Sequence, residues 1–521
     1  MNALTLTRRR FLQSAALATA WAALTACTST SPSTLAFGSG GGATPLPANL
    51  TPGASAELHL LRRISFGAKP GDIERVRALG LQGYLEEQLN YTALPDIENR
   101  LTGLTLLTDS AADLLQQAKD NTLNIGQVLG ELVIAKFLRA VYSPQQLHEV
   151  MVDFWSDHFN LYALKNPTGF LLPGDQRDVI RAHALAKFRD LLSASAHSPA
   201  MLVYLDNATS VAQAPNENYA REIMELHTLS VDGGYTQFDV HEVARALTGW
   251  SVVGWQDANR LGADQVGRFL YRPFIHDNGE KVILDAKLPA GGGQSDGDKV
   301  IDILASHPST AKFIAKKMCV RFVSDTPPQS IIDKAAATFT QSDGDIKAVL
   351  RTIINSDEFA AAAGQKFKRP FDFMVSALRA LDAQVTIEPV ANGQPGEGAR
   401  RNPVFQYLTQ FGQVPFLWST PDGYPDRTTA WLNTSGMLDR WNFGQALIAG
   451  IKGVSINHQA LIGPTSSIEA LVDRAADVLL GAPLIDQPRS IVIDYAKAVP
   501  DKVRLPGVAA LVIGSPQFQV R

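Results

Sequence analysis

Between Asn216 and His227 the chain sets Glu217, Arg221, Glu222 and Glu225 ahead of an imidazole. A carboxylate so placed can take a proton or ligate a hard cation, and an arginine beside it can stabilise developing negative charge. At about 100° per residue, Glu217, Asn218, Arg221, Glu222 and Glu225 share one helical sector roughly 140° wide, with Tyr219, Ile223 and Leu226 beyond its edge. His227 points nearly opposite Glu225, which argues against both holding one metal while the helix is regular. Two accounts stand. In one, the face is solvated and Arg221 pairs with Glu217 and Glu225, each pair contributing about 0.2 to 0.5 kcal/mol. In the other, the face is buried and Glu222 ligates a metal or acts as a base.

A second group is Phe154-Trp155-Ser156-Asp157-His158-Phe159-Asn160. Aromatic residues one turn from His158 would desolvate it and favour the neutral form that a ligand or base requires. A core histidine bonded to backbone fits the same pattern. His276-Asp277 stands at a turn, where a short polar pair can reach a cleft, although turn chemistry alone explains the aspartate. The expected catalytic set is therefore His158, Arg221, Glu222 and Glu225. The expected divalent-metal set is His158, Glu222, Glu225, His276 and Asp277. His183 and His307 read as structural. The chain has no Gly-x-Ser-x-Gly elbow, His-Glu-x-x-His, Cys-x-x-Cys or phosphate loop, so no strong motif names the reaction.

The elements that must position these residues are helical. Ser143-Pro144-Gln145-Gln146 predicts an N-cap, a proline at the first helical position and a capping-box glutamine before a helix to Phe159. Asp239-Val240-His241-Glu242 predicts a helix through Trp250. Ser466-Ser467-Ile468-Glu469 predicts one to Leu480, stopped by Gly481. Ser309 is the expected cap of the helix carrying Cys319, whose apolar neighbours predict a buried structural thiol. Asn278-Gly279 between Arg268–Phe274 and Lys281–Leu284 predicts a hairpin. The expected fold is mainly α, a multi-helical globular body with one small β-hairpin. The segments Leu350–Phe359 and Ala509–Phe518 each run an apolar helix into Ser-x-x-Phe. That similarity fits a duplicated unit over residues 307–360 and 466–520, and equally fits chance likeness of amphipathic helices. Gly393–Arg401 and Phe416–Asp426 read as loops.

Composition bounds the rest. The 521 residues are 45% hydrophobic and 19% charged, enough apolar content for a sizeable core. Lys+Arg 47 against Asp+Glu 51 gives net charge -4, without the basic excess that nucleic-acid binding requires. The N-terminus carries Arg8-Arg9-Arg10, an apolar run from Ala15 to Leu24, and Leu24-Thr25-Ala26-Cys27, the order of an export signal. Arg8 and Arg9 with Phe11-Leu12 resemble the twin-arginine consensus, and the Cys27 context resembles a lipobox that acylates that sulfur. Thr28 in place of aspartate favours outer-membrane sorting where a host has two membranes. The expected organisation is a signal over residues 1–26, a Gly/Ser/Pro tether over 27–53, a main helical domain over 54–385 and a helical region over 386–521 packed on it. The expected location is exported, in the periplasm or on the outer surface, held to a membrane by lipid.

His59–Gly67, Met151–Phe159, Ser198–Leu202, Asn216–His227, Gly233–Thr236 with Asp239, Thr248–Trp250, His276-Asp277 and His307–Ala311 together resemble the bacterial domain-of-unknown-function 1800 family. That resemblance implies no established reaction. It implies an exported protein and a sulfatase-like 1501-family partner, and it makes a merely solvated reading of Glu217, Glu222 and Glu225 less favoured. Ser230 departs from the glycine more usual in the family, and His241 from its usual polar residue, so His241 joins no site. Two readings follow. One is a metal-dependent hydrolase or oxidoreductase; the other is a noncatalytic envelope scaffold that holds a partner.

Overall fold

Amphipathic segments with their own caps account for most of the architecture. A computed structural model describes residues 54–386 and 403–521. The expected export signal and tether, with Cys27, and the expected loop Gly393–Arg401 lie outside the described residues. The chain is mainly α, and helices succeed one another from Ala56–Ile64 to Pro516–Gln519. Asn124 and Gln127 form a reciprocal capping box that starts Ile125–Tyr142, leaving fewer orphan N–H groups at that end. Ser467 caps Ile468–Leu480, and Gly481 ends it in the left-handed region at φ 65, as its sequence predicts.

Other boundaries move for identifiable reasons. The helix expected from Ser143 begins at Gln146. Gln146 is no capping residue: its amide donates to the carbonyls of Ala140 and Ser143 and accepts from the Phe66 N–H, tying three segments together. Thr236, rather than Asp239, caps Gln237–Ala246, with Asp239 closing the box from inside. That helix stops short of Trp250, which lies in a strand. His307 Nδ1, not Ser309, caps Pro308–Phe322 by accepting the Ser309 N–H at 3.1 Å.

The single hairpin is also corrected. Among the described residues there are three two-stranded antiparallel sheets. Phe269–Tyr271 pairs with Trp250–Val252, and Lys281–Ile283 pairs with Ala286–Leu288. The third pairs Gln384–Val385 with Val454–Ser455. Asn278-Gly279 is thus not the hairpin turn. Gly279 N–H is taken by Asp277 Oδ1 at 2.8 Å and Gly279 O by the Lys281 amine at 3.0 Å. The actual turn is Leu284-Asp285, at φ 49 and 67, with the Leu284 N–H donated to Asp239 Oδ1 at 2.8 Å. A distant carboxylate helps fix a turn whose own local signal, Asp285 alone, is weaker than Asn278-Gly279.

One apolar core runs through both halves of the chain, from Leu60 to Phe518. Helices Pro308–Phe322, Gln329–Gln341 and Ile346–Ile354 pack together and end on a single turn capped by Ser356. Ile468–Leu480, Asp486–Ala498 and Asp501–Gly514 do the same and end on one capped by Ser515. The repeated Ser-x-x-Phe is that cap, with Phe359 and Phe518 buried. Among the described residues no helix is long and apolar enough to cross a membrane.

Candidate functional site

The C-terminal end of helix Gln146–His158, one face of helix Pro308–Phe322 and the loop Trp418–Arg427 enclose a cavity of about 910 Å³. Gly423 sets the loop against the first helix. It sits at φ 73, and a Cβ there would run into the Asp157 carbonyl, so only glycine permits this approach.

His158 is 1% exposed and caged by Phe154, Trp155, Phe159 and Phe313. Its two nitrogens have defined roles. The His227 carbonyl, 3.1 Å from Nε2, can only accept, so Nε2 carries the proton. Nδ1 of the neutral ring then accepts from the Lys317 amine at 2.9 Å. Burial, then the Lys317 charge, holds the His158 pKa well below its ordinary value, so the ring is neutral.

Lys317 reaches the cavity from its own helix. Among the described residues no carboxylate makes an ion pair with it, and its hydrogen-bond partner is His158. Burial lowers its pKa from 10.5 to about 8, against the opposing pull of Asp157, Asp422 and Asp426. Asp157, on the wall beside it, is pushed up to about 6 by burial although Arg369 donates to it at 2.7 Å. His227 is buried, drops to about 3 through burial, and among the described residues has no hydrogen-bond partner on either ring nitrogen.

Beneath the wall lies a buried ionic layer. Arg369 bridges Asp153 and Asp157. Arg321 and Arg521 both hold Asp372, at 3.1 and 3.2 Å. Lys366 holds Asp325 at 2.8 Å and Asp426 at 3.0 Å. These pairs fix both the wall and the loop that closes it. At the mouth, Lys312, Lys316 and Arg427 are exposed, and among the described residues none of them makes an ion pair.

The expected site residues fall in separate neighbourhoods. Arg221 is 42% exposed, 3.4 Å from Glu217 and donating to Gln237 at 2.9 Å. Its partner there is the amide rather than Glu225, which accepts from the Tyr235 hydroxyl at 3.3 Å. Glu222 is half-buried, and its pKa is raised by burial and then by Glu225. It also feels Asp422 on the cavity wall. His276 donates Nδ1–H to the Thr248 carbonyl at 2.8 Å, and its Nε2 lies 3.3 Å from Asp296, which Lys281 also holds at 2.9 Å. Asp277 is gripped by Arg245 at 2.8 and 3.1 Å, and that hydrogen bonding lowers its pKa to about 2. Among the described residues no three His, Cys, Asp or Glu side chains are grouped to hold a metal ion. Cys319 is fully buried and its thiol is pushed up to about 12 by burial, in keeping with a structural role.

Sequence reasoning found His158 and missed Lys317. Its signal was a lysine on the same helical face as Phe313 and Val320, where a solvated position would be polar.

A family profile described as "Protein of unknown function (DUF1800)" matches residues 59–520. No curated protein and no solved structure matches the chain.

Proposed function

The chain belongs to the DUF1800 family of proteins of unknown function, and we propose that it is an exported, lipid-anchored enzyme with the Lys317–His158 pair as its acid–base centre. Export and anchoring rest on Arg8, Arg9 and Cys27, which lie outside the described residues. The chemistry rests on one observation: a cavity-lining amine hydrogen-bonded to a neutral imidazole, with no carboxylate paired to it among the described residues.

An amine near pKa 8 is free in about one molecule in ten at pH 7, against roughly one in 2,500 for an ordinary lysine. It can therefore accept a proton at physiological pH and return it. Asp157, near 6 on the same wall, is a second proton carrier of complementary range. At the mouth the exposed Lys312, Lys316 and Arg427 outnumber the exposed Asp232 and Asp422, a balance that favours a substrate bearing negative charge.

Acylation of the whole protein across a pH series, read peptide by peptide, tests this reading. Lys317 should reach half its maximal rate near pH 8, while Lys312 and Lys316 follow ordinary lysines at about 10.4. A Lys317 that titrates with those two would remove the acid–base centre. The groups facing Lys317 are His158 and His227 with Asp157, Asp422 and Asp426, and their charges set the midpoint. The partner reading has Phe274, 77% exposed, and Phe238, 59% exposed, in its favour. Such rings suit docking of a sulfatase-like 1501-family protein, and co-purification from the envelope would check it.

A further inference from the structure

We propose that Lys317 is a nucleophile that captures a small oxo acid, a carbonyl compound bearing a carboxylate, as an imine within the cavity. This rests on the Lys317 reading above and adds the bond it forms and the class of molecule it takes. Three features of the geometry carry it.

The first is the direction of the amine. A neutral lysine that donates one N–H to His158 Nδ1 keeps its lone pair for the cavity, and partial burial over the Phe313 ring strips part of the hydration that would blunt it. The second is the mouth. Lys312 and Lys316 stand on the same helix as Lys317, at i-5 and i-1, and Arg427 faces them from the closing loop. All three are free of ion pairs among the described residues and outnumber the exposed Asp232 and Asp422 on the same lining, so a carboxylate entering the cavity meets cations that no protein acid is paired with. The third is room. About 910 Å³ is ample for a small oxo acid, and Lys317 lines the same space as Lys312, Lys316 and Arg427.

The step balances without any other reagent. The Lys317 nitrogen pair bonds to the carbonyl carbon, and the C=O π pair moves to oxygen. A proton leaves the nitrogen through His158 Nδ1 and neutralises the alkoxide, giving a carbinolamine. A second proton, drawn from solvent through Asp157, converts that hydroxyl into water. Water departs as the C–O bond breaks, and the nitrogen pair forms the C=N bond. The result is a protonated imine, and hydrolysis reverses each step. The imine withdraws electrons from the neighbouring carbon, so a C–H or C–C bond there is weakened.

The test is to incubate the whole protein with pyruvate, reduce with borohydride, and map the reduced adduct by mass spectrometry. Acetone serves as the uncharged control. The adduct is expected on Lys317 in more than about tenfold excess over Lys312 and Lys316, following the free-amine fractions. A Lys312→Gln/Lys316→Gln variant should trap less pyruvate and an unchanged amount of acetone. Adducts spread evenly over surface lysines, or none on Lys317, would overturn the imine. If acylation still shows a midpoint near pH 8 in that event, the acid–base reading stands and only the covalent step is lost. Equal trapping of pyruvate by the double variant and the parent would overturn the oxo-acid class.

Discussion

Lys317 is held as a weakened base because its ammonium gives up water and gains an imidazole rather than a carboxylate. The cost is a stability term with a definite sign. The unfolded lysine titrates near 10.5 and the folded one near 8. Below pH 8 both states are protonated and the folded state bears the whole penalty, at most about 3 kcal/mol for a shift of this size. Between the two values the unfolded chain binds the extra proton, so stability from this group rises with pH. Lys317→Met should therefore stabilise the protein near pH 7 by about 1 to 3 kcal/mol, the lower figure allowing for the side chain's partial exposure. That advantage should shrink towards pH 10, as urea unfolding at both ends would show. A gain that is independent of pH would mean that the ammonium is solvated. His158 was legible in the sequence because its aromatic neighbours are its helical neighbours. Lys317 was not, because its partner lies 159 positions away and adjacent Lys316 made the pair look like an ordinary wet face.

Helix starts and stops are written locally, so caps such as Ser467 and Gly481 could be read from a few residues. The Asn278-Gly279 hairpin failed for the converse reason. Asp239 takes the Leu284 N–H across the fold, and this fixes the Leu284-Asp285 turn that makes the hairpin, for which Asp285 alone is a weaker local signal than Asn278-Gly279. The loop Trp418–Arg427 is a similar case, because its placement depends on the missing Cβ of Gly423 against helix Gln146–His158. Gly423→Ala combines a strained φ of 73 with a clash against backbone, a combination that typically costs about 1 to 3 kcal/mol. The loop should lift from Asp157, and hydrogen exchange should quicken across residues 423–427 while helix Pro308–Phe322 keeps its protection. Lost protection in both would mean that the loop supports the core as well as closing the cavity.

At the scale of the molecule, the motif stretches that reveal the family end at Ala311, one residue before the cationic mouth begins, although the family match continues to residue 520. Most of the cavity wall is therefore supplied by sequence with no readable chemistry of its own. The proposed export signal, by contrast, is read entirely from its own residues. Cys27→Ala should move the protein from the membrane fraction to the soluble envelope fraction, since each buried acyl CH₂ contributes about 0.8 kcal/mol. Replacing Arg8-Arg9 by lysines should leave it unexported, and fractionation reads both outcomes. What binds the halves is the ionic layer, where Asp153, Asp372 and Asp426 answer arginines and lysines drawn from distant parts of the chain. Burial alone would raise the Asp372 pKa, but Arg321, Arg521 and Arg369 outweigh it and hold the carboxyl far below its usual range. Asp372→Ala takes the nearest carboxylate from Arg321 and Arg521 and leaves them Asp426 at 3.8 and 3.9 Å, and losing one partner of a buried pair costs about 3 to 5 kcal/mol. Because the apolar core and this layer both cross from the first half of the chain to the second, the loss should appear as one cooperative transition moved to lower urea. Tryptophan fluorescence and far-ultraviolet dichroism should then coincide. Two separated transitions would show that residues 403–521 unfold as an independent unit, with the cavity opening before the core.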